Sequence, residues 1–116
     1  MLCHDAGVAY DEGLANRLRN LIGEEPGLVE KKMFGGLAML VDGNMAVGVH
    51  RDSLMVRTDP ARQEQWLAEP GARMFDMGGR TMKGWLLVDP DGCAHDADFE
   101  RWVSRGVEYA RSLPAK

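Results

Sequence analysis

Cys93-x-His95 is the best constellation of metal-ligating side chains in this 116-residue sequence, with Cys3-His4 and His50 as possible additional ligands. Zinc sites usually pair their ligands at C-x₂₋₄-C or H-x₃₋₅-H spacing, and neither occurs here. A loop cysteine and a solvated histidine are expected instead, with no metal and no cofactor. Asp76 and Lys83 fall on the two arms of a predicted hairpin. They read as a cross-strand ion pair in preference to an acid–base couple. His50, beside Arg51 near a strand end, reads as a surface residue rather than a general base. G-x-S-x-G, P-loop, H-E-x-x-H and G-x-G-x-x-G patterns are all missing. No catalytic residue is assigned, and a non-enzymatic protein is expected.

Two segments place a cation beside an aromatic: Lys31-Lys32-Met33-Phe34, which runs into Gly35-Gly36, and Lys83-Gly84-Trp85. Such pairs can form a stacking platform for single-stranded nucleic acid. Charge argues against that use. The chain carries a net −4, and cut at Lys32 and Val88 its segments carry −2, 0 and −2. Without a basic cluster to displace counterions from phosphates, autonomous tight DNA binding is not expected. The aromatics are expected in the core. The seven methionines from Met33 to Met82 read as core filler, with a Met-rich adaptable surface as the alternative. Lys31, Lys32, Met33, Phe34, Gly35, Gly36, Lys83, Gly84 and Trp85 remain as candidate partner-binding residues.

The elements that must hold these residues follow from periodicity. Leu14, Leu18, Leu21 and Ile22 repeat at helical spacing after an Asp11 cap, and Gly23 provides a stop. Strands are expected over Leu28 to Phe34, Leu37 to Val41, Met45 to His50 and Ser53 to Arg57. Asp42-Gly43 and Arg51-Asp52 mark tight reversals, so these strands are antiparallel neighbours. Gly35-Gly36 reads as either a third turn or a bulge, and Gly48 as a close approach or bulge. A short helix with Pro60 at its first position, capped by Thr58 or Asp59, carries Trp66 and Leu67. A hairpin of Arg73 to Met77 and Met82 to Val88 follows, closed by an Asp89-Pro90-Asp91-Gly92 turn. From an Asp96 cap, Phe99, Trp102, Val103, Val107, Ala110 and Leu113 share one arc, with Asp98, Arg101, Arg105, Glu108 and Ser112 opposite. This order implies an α+β domain of two layers, an antiparallel sheet packed by helices.

A chain of this length, 45% hydrophobic and 28% charged, fits one compact domain. No apolar run approaches the roughly 18 residues of a membrane span, and "MLCHDAGVAYDEG" has neither region of a signal peptide. A cytoplasmic protein with Cys3 and Cys93 as free thiols is expected.

"YDEGLANRLRNLI", "EKKMFGGLAMLVDGNMAVGV", "LMVR", "MKGWLLVDPDG" and "WVSRGVEYARSLPAK" resemble the TfoX N-terminal domain family, related to the bacterial competence regulators TfoX or Sxy. The resemblance runs from about Tyr10 to Lys116 and leaves residues 1–9 as an N-terminal extension. It implies a secretion-chaperone-like fold. It also implies regulation through protein partners, since the competence regulators are coactivators that work with the cyclic-AMP receptor protein at competence promoters. Those regulators carry a second, C-terminal domain, and this sequence ends at Lys116, so a stand-alone N-terminal module is expected. A homodimer is the expected assembly, with a monomer as the alternative. The runner-up function is a small-molecule-binding protein or small enzyme with a pocket between sheet and helices.

Overall fold

A computed structural model describes residues 10–33, 36–77 and 79–115, with the side chains of Met33, Met77, Arg80, Thr81 and Met82 outside the description. The first helix, α1 (Glu12–Ile22), starts where Asp11 accepts hydrogen bonds from the Gly13 and Leu14 amides. Strands β1 (Leu28–Met33), β2 (Gly36–Val41), β3 (Asn44–His50) and β4 (Ser53–Arg57) then form a meander. Asp42 and Gly43 both take positive φ, 53° and 87°, as the predicted two-residue turn requires. Met33 pairs with Gly36, so the chain reverses there. Phe34 and Gly35 themselves lie outside the described residues.

After β4, Asp59 caps a 3₁₀ turn (Pro60–Arg62) that leads into α2 (Gln63–Leu67). Strands β5 (Ala72–Met77) and β6 (Arg80–Val88) follow. The predicted turn at Asp89 is a short helix, α3 (Pro90–Cys93), and α4 (Asp96–Ser112) closes the chain. Its cap is His95, with Asp96 already helical, one residue away from the expected start; Asp96 and Asp98 still place acid in the first turn, where the helix dipole favours it. Leu113 falls just past the helix end.

The six strands make one antiparallel sheet in the order β1-β2-β3-β4-β6-β5, as expected for an α+β fold. Register assigns its faces. The row Met39–Val47–Val56–Leu86–Met74 faces the helices and joins Leu14, Leu18, Phe99, Trp102 and Val103 in the main core. The neighbouring row, Ala38–Gly48–Met55–Leu87, belongs to the other face. There Ala38, Met45, Met55, Phe75 and Leu87 form a second, smaller cluster. Met39 and Met55 are fully buried and Met45 nearly so, which makes them core filler. No described helix is long and apolar enough to cross a membrane.

Helix α4 lies across β3 and β4 at the centre of the helical layer. Its approach is set by Gly106, where a Cβ would run into the Ala46 carbonyl oxygen. Ala46 is the unpaired residue at the β3 bulge, between Met45 opposite Leu40 and Val47 opposite Met39. The bulge therefore turns a backbone carbonyl toward the one helical position that lacks a side chain.

Two outcomes follow from this packing. Helix propensity alone would make Gly106→Ala stabilising by roughly 1 kcal/mol. Forcing a methyl against fixed backbone costs about 1–3 kcal/mol, and backbone cannot rotate away, so the clash wins. Urea unfolding of Gly106→Ala should show a lower midpoint at unchanged slope. Cys93 is 2% exposed, and burial raises its thiol pKa. The neutral thiol contributes stability that is complete below the ordinary thiol pKa of about 8.5 and is lost as pH rises through the raised value. In a Cys3→Ser background, Cys93 should react with an aromatic disulfide reagent about a hundredfold more slowly when folded than in urea.

Candidate interaction surface

The first predicted segment lies on an edge of the sheet. Lys31 and Lys32 are exposed on β1, and Val29 is 52% exposed beside them. Among the described residues neither lysine has an ion-pair partner. Strand alternation sends them to opposite faces: Lys32 shares the helix side with Glu30, whose carboxylate holds Arg19 of α1 at 2.9 and 3.0 Å. Gly36 is buried, and a Cβ there would meet the Val49 carbonyl oxygen. Of the remaining candidates, Phe34 and Gly35 are not described, and Met33 is described in its backbone alone.

The second segment does not join the first. Strand β6 is four ladder steps from β1, about 19 Å at the usual spacing, and Lys31 is level with Leu87 rather than with Lys83 or Trp85. The two candidate segments are separate places on the sheet, with three strands between them. Gly84 is structural. At φ 88° it donates to Gln63 Oε1 at 2.6 Å, while its carbonyl accepts from Thr58 N at 2.9 Å, which ties β6 to the start of α2. Trp85 is half-buried opposite Arg57, whose guanidinium lies 5.2 Å from its ring and 5.7 Å from that of Tyr109. Lys83 is exposed.

The helical layer holds what the sequence reading missed. Arg105, assigned to the solvent arc, is half-buried with its guanidinium 4.8 Å from the Trp66 ring and 4.6 Å from the Trp102 ring. The two indoles meet edge to face at 6.4 Å, and Glu69 holds Arg105 at 2.7 Å and Arg101 at 3.0 Å. Trp66 and Trp102 are too far apart in sequence for periodicity to pair them. The signal available was the polar edge of the α4 arc, where an arginine can lay its stem along buried aromatics. This packing leaves solvent-facing grooves on both flanks of α4: toward α2, one of about 280 Å³ beside Trp66 and Tyr109, and toward α1, one of about 370 Å³ beside Leu21 and Val103.

The chemical candidates are dispersed. The register sets Asp76 opposite Thr81, so the expected pair with Lys83 is absent from the described ion pairs; the Asp76 carboxylate accepts from the Gly79 amide instead. The register shift at Phe75 displaces the two arms. His50 is partly buried, with its ring 5.1 Å from that of Phe75, rather than a plain surface residue. The Cys93 thiol points toward the Val88 and Asp89 carbonyls while His95 is exposed, and no three described His, Cys, Asp or Glu side chains converge to hold a metal. Cys3 and His4 are not described.

No curated protein and no solved structure matches the chain. Residues 20–110 match the family model of the TfoX N-terminal domain, a span that takes in the whole sheet and α4 up to Ala110. The chain belongs to the TfoX N-terminal domain family, a family of regulatory domains.

Proposed function

We propose that this chain is a non-enzymatic interaction module that regulates through protein partners, with transcription as the regulated process and the β1 edge as its contact element. The observation that carries this reading is the edge itself: among the described residues no strand pairs with the outer side of β1. An edge strand offers unpaired backbone donors and acceptors to an incoming strand, and flanking side chains select what binds. On β1 those side chains are Lys31, Lys32 and the exposed Val29. They favour a partner strand that carries acid beside an apolar residue. The acidic net charge of −4 favours a protein over bare DNA as the contact.

The test is a pull-down from native extract with mass spectrometry, comparing the natural chain with Lys31→Glu/Lys32→Glu. Exposed substitutions of this kind cost less than about 0.5 kcal/mol in stability, so the variant should fold. Recovery of the specific partner should fall about tenfold or more, equivalent to roughly 1.4 kcal/mol. Equal recovery by both proteins would remove the edge from the proposal. A small molecule retained through purification, with no enriched protein, would favour the ligand-binding alternative instead. The same edge suits a second copy of the chain. Sedimentation equilibrium from about 1 to 100 μM should show a species of twice the 12.8 kDa chain mass; a monomer throughout would end the dimer.

A further inference from the structure

Helix α1 lies beside α4, and the groove between them is continuous. Two hollows of about 260 and 370 Å³ meet at Leu21 and Glu100 and together follow α4 from Asp96 to Arg111. That length of helix spans about 22 Å, or four turns. The floor is formed by buried Phe99, Val103 and Val107, and the α1 wall presents Leu21 with 40% of its surface exposed. Both ends are closed by ion pairs between elements. Arg17 stacks 4.0 Å over the Phe99 ring and reaches Asp96 at 3.3 Å, and Arg111 reaches Glu25 at 2.7 Å.

Between those closed ends the charge is uncompensated. Glu100 and Glu108 are exposed on the α4 rim, and among the described residues neither has a cation partner. They are eight residues apart, about 12 Å along the helix. An apolar trough between two helices accepts the ridge of a third, and acid on its rim selects base on the flanks of that ridge. Isologous packing of a second copy across the same trough would set these glutamates against their own symmetry mates, which disfavours self-association here.

We infer that the α1–α4 groove is a docking site for a basic amphipathic helix of a partner protein. Its apolar stripe covers Leu21, Val103 and Val107, and its flanking lysines or arginines pair with Glu100 and Glu108. This site rests on the protein-binding function proposed above but uses a surface other than β1.

The probe is a synthetic helical peptide of about 18 residues, long enough at about 27 Å to fill the groove, with leucines at i, i+3, i+4 and i+7 and lysines on both flanks. Its controls are a scrambled peptide of equal composition and a peptide with glutamate in place of every lysine. Amide shifts of the full-length chain are followed by NMR titration. The lysine peptide should saturate shifts along the C-terminal half of α1 and the outer face of α4, with both controls at least about tenfold weaker. Leu21→Glu, and separately Glu100→Lys/Glu108→Lys, should weaken the lysine peptide at least about tenfold, and the double variant should gain affinity for the glutamate peptide. Both glutamates are exposed, so the double variant is informative even if Leu21→Glu folds poorly. Lys31→Glu/Lys32→Glu should bind the peptide unchanged, so failure of the β1 proposal and failure of this one are separable. No saturable binding by about 1 mM, equal binding of the scrambled peptide, shifts away from the groove, or indifference to the charge swap would each overturn the inference.

Discussion

The contact between Gly106 and the Ala46 carbonyl sets the depth at which α4 lies on the sheet, and most other features take their position from that depth. With no side chain at the crossing, the helix axis sinks until Trp102, Val103 and Ala110 are fully or almost fully buried against β3 and β4. The flanking helices then have a fixed rail to lie against. Helix α1 closes on one side through Phe99 and Val103, and α2 closes on the other through the Trp66–Trp102 contact. Interiors pack at crystal-like density, so a small displacement of α4 would be felt at both flanks.

Charge organises the surface around this core more than it stabilises it. Arg17, Arg19, Arg73, Arg101, Arg105 and Arg111 each bridge a helix or strand to another part of the chain. Most of these pairs are substantially exposed, and such pairs contribute only about 0–1 kcal/mol each. Their value lies in geometry, because the planar guanidinium holds two elements in a fixed relation. The Arg19 and Arg101 charges are held more firmly by Glu30 and by Asp98 with Glu69, which raises both pKa values. Among the described residues, Lys31, Lys32, Glu100 and Glu108 are exposed charges that stand outside such pairs.

Local chemistry was legible in the sequence; distant convergence was not. The Asp11 cap, the Asp42-Gly43 turn and the bounds of β4 each depend on a few adjacent residues, and each was read correctly. The apolar arc of α4 was also legible, since its period spans the whole helix. Arg105 was misplaced because its fate depends on Trp66, a residue on another helix. Lys31 and Lys83 were both named as candidates because each lies near an aromatic and a glycine, and only strand order shows how far apart they are. The Asp76–Lys83 pairing failed for a similar reason, since a register shift moves every later side chain.

Strand order also leaves a seam in the sheet. Each pairing from β1 to β4 joins strands that follow directly in sequence, whereas β4 meets β6 only after the chain has passed through α2 and β5. Leu54 pairs with Val49 across a tight turn and with Val88 across a long excursion. By loop-closure entropy the second pairing costs about 1.7 kcal/mol more than the first. The molecule is thus a meander and a separate hairpin joined along one ladder, with α4 seated on the meander and α2 on the hairpin. Glu69, in the connection between α2 and β5, is gripped by Arg101 and Arg105 of α4. That grip crosses between the two halves, so a single carboxylate ties the chain leading into the hairpin to the helix seated on the meander.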